Sequence, residues 1–272
     1  MLPLFVYSHS DFDDILKIQT DYVSNVLQKF LIINHTNNIE NSIISKYDGV
    51  YHYDDSLPYA TRLLNVLNQI DHDYLILTHE NDILLSLNDV VLQKISDLMK
   101  LKNIDRVTLQ CCGGNAYNGG KEFIQIDENA NPEQWIEFNH GSPVPSDKEY
   151  LGLHNTPHTY QYSVNPSIWN RKSLVKLLTQ FKHSTYRSIE NDVVDHMHEY
   201  KIYNLVSPKP LRSGYQKCLN LYKYLHITHY GLLLRYDNSK CTQYNDSYED
   251  LYDDYKCIIE KYDLLNGKRK FS

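Results

Sequence analysis

The chain has 272 residues, 42% of them hydrophobic and 22% charged, a composition typical of a globular protein large enough for one α/β domain. Its net charge of -7 argues against a general nucleic-acid-binding protein, which needs a basic face. The five cysteines are odd in number and form no CxxC pair, so neither a disulfide framework nor a zinc site is predicted.

The first 110 residues alternate short apolar runs with amphipathic stretches. The apolar runs predict five buried strands, at 4–7, 31–33, 49–53, 74–77 and 106–109. Apolar residues at helical spacing predict helices over 13–30, 58–70 and 87–101. Such alternation is typical of a mostly parallel sheet flanked by helices.

Polar residues follow three of these strands, in the stretches Tyr7-Ser8-His9, Asp54-Asp55-Ser56 and His79-Glu80-Asn81-Asp82. Because ligands of open α/β sheets bind beyond the carboxyl ends of the strands, we expect the three ends to form a nucleotide-sized crevice. Two carboxylates one residue apart, as in the last stretch, can reach one divalent cation. The alternative is a simple polar turn. The glycine-rich dinucleotide and P-loop motifs are both absent.

After residue 110 the chain is rich in loop-forming residues. Short strands are predicted at 123–126, 134–138 and 160–165, and residues 166–169 are expected to turn the chain into a helix over 171–181. A further helix is expected to begin at Ser188, which is a suitable N-cap, with Glu190 and Asp192 in its first turn. These residues form the loop-rich second half of the chain.

The last part of the chain completes a single predicted domain over 1–272. A late strand is predicted at 201–206, a histidine-bearing segment follows at 226–231, and a peripheral helix is expected around 248–264 before a basic tail. No linker is clear enough to split the chain. We therefore divide the domain only into the parts 1–110, 111–236 and 237–272.

Three motifs stand in a fixed order along the chain. They are Asp54-Asp55-Ser56-Leu57-Pro58-Tyr59 with Arg62-Leu63-Leu64, the run from Tyr74 to Asp82, and the run from Tyr162 to Trp169 followed by Glu190-Asn191-Asp192. Together they resemble nucleotide-sugar-dependent glycosyltransferases of the GT-A fold, over about residues 3–206. The second is similar to the D-x-D motif, with Glu80 in the first acidic position. The third is similar to the acceptor-side segment of bacterial and large-virus sugar transferases.

The resemblance implies transfer of a sugar from a nucleoside-diphosphate sugar, with a UDP-sugar favoured, to a hydroxyl of a glycan or glycoconjugate acceptor. It implies that Asp82 holds Mn²⁺ or Mg²⁺ on the diphosphate. Glu80 would assist the metal, directly or through a bound water, or face the sugar or the ribose, and His229 or His226 would complete the metal shell. It also implies that Glu190 or Asp192 is the general base, which gives inversion at the anomeric carbon. Ordinary charges at a helix N-terminus are the alternative reading of this last pair.

Polar and aromatic residues at the strand ends would bind the donor itself: Tyr7, Ser8, Asp54, Asp55, Arg62 and Glu80. Tyr7 would stack on the base, one of the two aspartates would bind the base or ribose, and Arg62 would meet the diphosphate or base. The alternatives are a core tyrosine and a surface arginine.

Two other functions compete with this interpretation. A sugar nucleotidyltransferase usually has a glycine-rich loop and a basic residue near the first strand, and Tyr7-Ser8-His9-Ser10-Asp11 has neither. A non-catalytic binding module of the same fold would not bind nucleotide in a metal-dependent way. No run reaches membrane-spanning length and no secretory signal is evident, so we expect a cytoplasmic protein, in the host cytoplasm if the protein is viral.

Overall fold

The computed structural model describes residues 2–22, 27–87, 89–109, 122–126, 137–139, 151–154, 164, 166–206, 222–229, 232–233 and 248–270. The strands are β1 Leu4–Tyr7, β2 Lys29–Ile33, β3 Gly49–His52, β4 Tyr74–His79, β5 Asp82–Leu87, β6 Arg106–Thr108, β7 Glu122–Ile126, β8 Glu137–Asn139, β9 Leu151–His154, β10 Ser167–Asn170, β11 Ile202–Val206, β12 Tyr222–His226, β13 Thr228–His229 and β14 Leu232–Leu233. The α-helices are α1 Asp13–Tyr22, α2 Asn41–Ile44, α3 Tyr59–Leu67, α4 Asp89–Lys102, α5 Arg171–Gln180, α6 Ile189–Asp192 and α7 Tyr248–Lys261.

A sheet of ten strands within the described ranges forms the centre of the fold, in the order β3-β2-β1-β4-β10-β6-β11-β9-β7-β8. Strands β8, β9 and β10 run against the other seven. Strands β3, β2, β1 and β4 are consecutive parallel neighbours. The predicted mostly parallel sheet flanked by helices is therefore confirmed, and β1 to β4 and β6 begin and end within two residues of the predicted strands.

The two faces of the sheet bury separate hydrophobic clusters, because side chains alternate between faces along a strand. On one face, Leu4 and Val6 of β1 pack with residues of α4 such as Ile95. On the other, Phe5 of β1 packs with α3 and α5, for example with Leu63. Within the described ranges no helix is long and apolar enough to cross a membrane.

The structure corrects the prediction that residues 166–169 form a turn. Ser167–Asn170 is strand β10, which lies antiparallel between β4 and β6. Ile168 and Trp169 are buried there, and both residue types favour strands. The turn comes only at Asn170, whose side chain accepts a hydrogen bond from the Ser173 amide (3.2 Å) and caps α5. The strand predicted at 160–165 falls almost entirely outside the described residues.

Two helix predictions are also wrong in part. The first helix was expected to reach residue 30, but β2 already begins at Lys29. The helix at Ser188 is only the four-residue α6, and the Ser188 hydroxyl does not cap it. Instead this hydroxyl accepts a hydrogen bond from the Thr185 amide (3.0 Å), which closes the preceding loop.

The C-terminal helix is part of the core, not the peripheral element that the sequence predicts. Ile258 and Tyr255 of α7 form a third hydrophobic cluster with Ile15 of α1, Ile83 of β5 and Leu225 of β12. Helix α7 thereby joins the N-terminal helix to the two-stranded sheet of β5 and β12. The division of the chain into one domain with three parts stays a prediction.

The basic tail is fixed to the start of α1 by Arg269. Its guanidinium donates two hydrogen bonds to the Asp14 carboxylate (2.7 and 2.8 Å) and one to the Asp11 carbonyl (2.7 Å). It also lies 4.2 Å from the centre of the Phe12 ring. Only 9% of the Arg269 side chain is exposed, against 49% for its neighbour Lys268, which pairs with the same helix.

We expect Arg269→Ala to lower the free energy of unfolding by about 1.5–3 kcal/mol, because it removes charge-assisted hydrogen bonds in a largely buried position. The matched control Lys268→Ala removes a solvent-exposed ion pair and should cost less than about 1 kcal/mol. Urea denaturation at pH 7 measures both variants. Equal costs for the two variants would show that the tail is not anchored through Arg269.

Candidate functional site

The carboxyl ends of β3, β2, β1 and β4 lie side by side, because these strands are parallel neighbours. The rim they form carries His9 after β1, Asn34 after β2, Asp55 after β3, and Glu80 after β4. The predicted convergence of polar strand ends on one edge of the sheet is therefore confirmed. Asn34, which directly follows the predicted strand 31–33, joins the same edge.

Asp55 is the centre of a polar network on this rim. Its carboxylate accepts a hydrogen bond from the Asn34 amide (2.7 Å), lies 2.9 Å from His9 Nε2 and pairs with Arg62 (3.0 Å). The Arg62 guanidinium lies 5.2 Å from the centre of the Tyr53 ring. Two predicted donor-binding residues, Asp55 and Arg62, are thus brought together with two residues that were missed.

The other residues predicted to bind the nucleotide are less accessible or serve the local backbone. Tyr7 is 7% exposed and stacks on Tyr53 at 5.1 Å, with the rings within 5° of parallel. Ser8 is fully buried. Asp54 is exposed and accepts hydrogen bonds from the Ser56 amide and hydroxyl, and these bonds lower the pKa of its carboxyl. The nucleotide-binding roles of Tyr7, Ser8 and Asp54 stay predictions.

The acidic residues lie in a tight turn between β4 and β5. The Glu80 amide donates to the Tyr7 carbonyl (3.1 Å), and the Ile227 amide donates to the Asn81 carbonyl (2.8 Å). These bonds fix the turn between the end of β1 and the segment after β12. Asp82 is 2% exposed, so its carboxylate is held inside the protein.

The turn offers oxygen atoms to a cation without forming a complete metal cage. The Asn81 Oδ1 atom is buried and has no hydrogen-bond partner among the described residues. No group of three or more His, Cys, Asp or Glu side chains suited to a metal occurs in the part of the chain that the structure describes. The side chain of His229, predicted as a metal ligand, lies outside that part.

Burial, together with the charge of Asp82, raises the pKa of Glu80 to about 8, against the opposing effects of a backbone hydrogen bond and of the charge of Arg269. In the unfolded chain the carboxyl has its ordinary pKa of 4.5. The folded protein therefore binds one more proton between these two values, and its stability falls as the pH rises through this window.

We expect Glu80→Gln to stabilise the metal-free protein, and to do so more at pH 8 than at pH 6. The wild type loses up to about 1.4 kcal/mol for each pH unit in the window, and the variant does not. Urea denaturation of both proteins in the presence of a chelator measures the difference between their free energies of unfolding at each pH. The contributions of all other titrating groups are the same in both proteins and cancel in this difference. The same difference at both pH values would contradict the raised pKa.

His79, the last residue of β4, connects the rim to the second half of the chain. It is buried, and its Nδ1 donates to the Val164 carbonyl (2.8 Å), because a carbonyl can only accept. Its Nε2 lies 3.0 Å from the Tyr59 hydroxyl. The Val164 amide in turn donates to Glu190 Oε1 (2.7 Å). Val164 is therefore held between the end of β4 and the carboxylate of α6.

Asp192 lies elsewhere on α6 and faces solvent. Its Oδ2 accepts a hydrogen bond from the Ser184 hydroxyl (2.5 Å), and bonds from Ser184 and Ser188 lower the pKa of its carboxyl. Asp192 thus closes the loop 184–188. Of the two predicted bases, Glu190 is the one that the structure connects to the end of β4.

Tyr186 occupies the middle of this region, although no sequence pattern pointed to it. Its ring meets those of His79 (5.3 Å) and Tyr59 (5.4 Å) edge to face. Burial of the hydroxyl raises its pKa, and the negative charges of Glu80, Asp82 and Glu190 raise it further. The pKa of the Tyr186 hydroxyl is thus affected by all three carboxylates.

No protein-family model matches the sequence, and no curated protein matches it. Several solved structures are similar to this chain. A cytidylyltransferase from Leptospira borgpetersenii has a TM-score of 0.45 at 12% identity, covering 100% of this chain and 98% of its own.

Two further similarities are of the same kind. A CMP:2-keto-3-deoxy-manno-octonic acid synthetase complexed with CTP has a TM-score of 0.41 at 10% identity, covering 80% of this chain and 95% of its own. S. aureus TarS in complex with UDP-GlcNAc has a TM-score of 0.42 at 12% identity, covering 99% of this chain and 68% of its own.

Proposed function

We propose that the protein is a glycosyltransferase that moves a sugar from a nucleoside-diphosphate sugar, with a UDP-sugar favoured, to a hydroxyl of a glycan or glycoconjugate acceptor. The observation that carries the proposal is the acidic turn Glu80–Asp82 at the rim of four parallel strands, with Glu190 brought to the same place. Ligands of open α/β sheets bind at such a rim. Sugar transfer needs a site for a diphosphate and a carboxylate base, and these residues would supply both.

The nucleoside would bind over the network of His9, Asn34, Asp55 and Arg62. This network supplies hydrogen-bond donors and acceptors of the kinds that a base or ribose requires, next to the partly exposed guanidinium of Arg62. Arg62 is also placed to meet a diphosphate that extends from the nucleoside towards the acidic turn.

A divalent cation, Mn²⁺ or Mg²⁺, fits the oxygen atoms of the turn. Asp82, Glu80 and the unpartnered Oδ1 of Asn81 would hold it, with His229 as a further predicted ligand. Such cations are commonly bound by one or two carboxylates together with the phosphates of the substrate, which agrees with the sparse ligand set. When bound, the cation would neutralise negative charge on the leaving diphosphate.

Glu190 is the better placed of the two predicted general bases. The acceptor hydroxyl would give its proton to this carboxylate as its oxygen bonds to the anomeric carbon and the bond from that carbon to the diphosphate breaks. The reaction then inverts the anomeric carbon. Asp192 faces solvent, and its lowered pKa makes it a weaker base, so we assign it the positioning of the loop 184–188.

Thermal-shift measurements with UDP, GDP, CMP and ADP, each with and without Mn²⁺, test the proposal. A ligand that binds only the native state raises the unfolding midpoint by mass action. We expect one nucleoside diphosphate to raise the midpoint in a metal-dependent way. A nucleotide site would be excluded if none of the four changes the midpoint, and a non-catalytic module would then be the better description.

A further inference from the structure

Tyr186 combines surface exposure with a fixed position, which is unusual for a large aromatic residue in a loop. It is 38% exposed, one of the few large hydrophobic side chains at the surface of the described residues. Its ring nevertheless has two aromatic neighbours, Tyr59 and His79, with ring centres within 5.4 Å. One side of the ring is therefore held by the protein while the other remains open.

The loop that carries Tyr186 is tied to the fold on both sides. Before it, the Ala60 amide donates to the Ser184 carbonyl (3.1 Å) and the Thr61 hydroxyl donates to the Lys182 carbonyl (2.5 Å). After it, Asp192 accepts from the Ser184 hydroxyl (2.5 Å). These contacts cross between α3, the loop and α6, so the exposed ring has a defined place and direction.

That place lies between the two chemical ends of the proposed reaction. Asn81, in the acidic turn that would face the diphosphate, is close enough to the Tyr186 hydroxyl to lower its pKa. Glu190, the proposed base on the acceptor side, accepts a hydrogen bond from the Val164 amide. The Val164 carbonyl accepts a hydrogen bond from His79, and the His79 ring packs against the ring of Tyr186. In a donor substrate, the sugar is the part that lies between the diphosphate and the attacking hydroxyl.

We infer that Tyr186 is the binding residue for the transferred sugar ring, which packs its C–H groups on the open side of the aromatic ring. The inference rests on the proposed function and deepens it. An aromatic ring with a polar tip suits a sugar, because it offers apolar contact to C–H groups and a hydroxyl for hydrogen bonding. The nucleotide itself makes no contact with Tyr186, because it binds over Asp55 and Arg62.

The test compares nucleotides with and without the sugar. Dissociation constants are measured by calorimetry in the presence of Mn²⁺ for UDP against UDP-GlcNAc and for GDP against GDP-mannose. For the pair that binds, we expect Tyr186→Ala to weaken the nucleotide-sugar about tenfold and the nucleotide alone less than twofold. Tyr186→Phe keeps the ring and should weaken the nucleotide-sugar less than threefold.

A matched control is Tyr262→Ala. Tyr262 is a partly buried tyrosine whose hydroxyl donates a hydrogen bond to Asp21 (2.6 Å). Asp21 lies near the end of α1 that is remote from the rim. Loss of Tyr262 should therefore change the dissociation constant of neither the nucleotide nor the nucleotide-sugar. Equal weakening of both ligands by Tyr186→Ala, or no weakening, overturns the inference and leaves the proposed function standing. If the wild-type protein binds none of the four ligands, the proposed function fails and the inference fails with it.

Discussion

Replacing Glu190 with glutamine is expected to lower kcat by about 10²–10⁴-fold, the usual contribution of a general base. The glutamine side chain keeps an oxygen that can accept the hydrogen bond from the Val164 amide, so the position of the segment should be preserved. It cannot take a proton from an attacking hydroxyl or water. Release of the nucleoside diphosphate from the nucleotide-sugar measures the rate, and binding of that diphosphate alone should be unchanged.

Asp192→Asn is the companion variant for this experiment. Asparagine retains an oxygen that can accept from the Ser184 hydroxyl, so the loop 184–188 should keep its shape and the rate should fall less than tenfold. The assignment of the base would be reversed if Asp192→Asn lost as much activity as expected for Glu190→Gln while Glu190→Gln stayed active.

Asp82→Asn is expected to abolish the metal-dependent part of nucleotide binding. For the wild type at a ligand concentration of 100 times Kd, binding stabilises the protein by about 2.7 kcal/mol. In the variant this stabilisation should fall to the small effect seen with the nucleotide and no metal. The reason is that a neutral amide replaces the buried carboxylate, the ligand with the strongest attraction for a hard cation. Thermal-shift measurements with the diphosphate at increasing Mn²⁺ concentrations measure this metal-dependent stabilisation.

The midpoint of thermal unfolding, measured without ligand, distinguishes a variant that has lost only the site from one that has lost the fold. Asparagine has nearly the same size and shape as aspartate, so a midpoint of the metal-free variant close to that of the wild type shows that the fold is kept. Asp97→Asn serves as the control, since Asp97 is a half-exposed residue of α4 that pairs with Lys100. A metal-dependent shift that survives in Asp82→Asn would remove Asp82 from the proposed cation site.

Much of the first half of the fold could be predicted because its signals are local. A strand buried on both faces requires a continuous apolar run, and β1 and β4 have such runs. The polar residues that end these strands reach one rim because parallel neighbours share an orientation. The sequence thus predicted that Asp55 and Glu80 lie on the same edge of the sheet. Strand β10 was misplaced because a single Pro166 suggested a turn, whereas pairing with two neighbouring strands decided the local structure.

Contacts between distant parts of the chain were decided by the tertiary structure alone. His79 bonds Val164 across 85 positions, and Arg269 bonds Asp14 across 255. No local pattern encodes such pairs, because they depend on how the helices and the sheet pack together.

The sequence by itself determined the parallel strands and the acidic turn at their carboxyl ends, since hydrophobic burial and chain alternation fix both. Only the tertiary structure decided that Tyr186 packs against His79 and Tyr59, and that Glu190 rather than Asp192 is connected to the end of β4. The physical reason is that a short loop and a four-residue helix take their positions from the surfaces that they pack against, not from their own propensities.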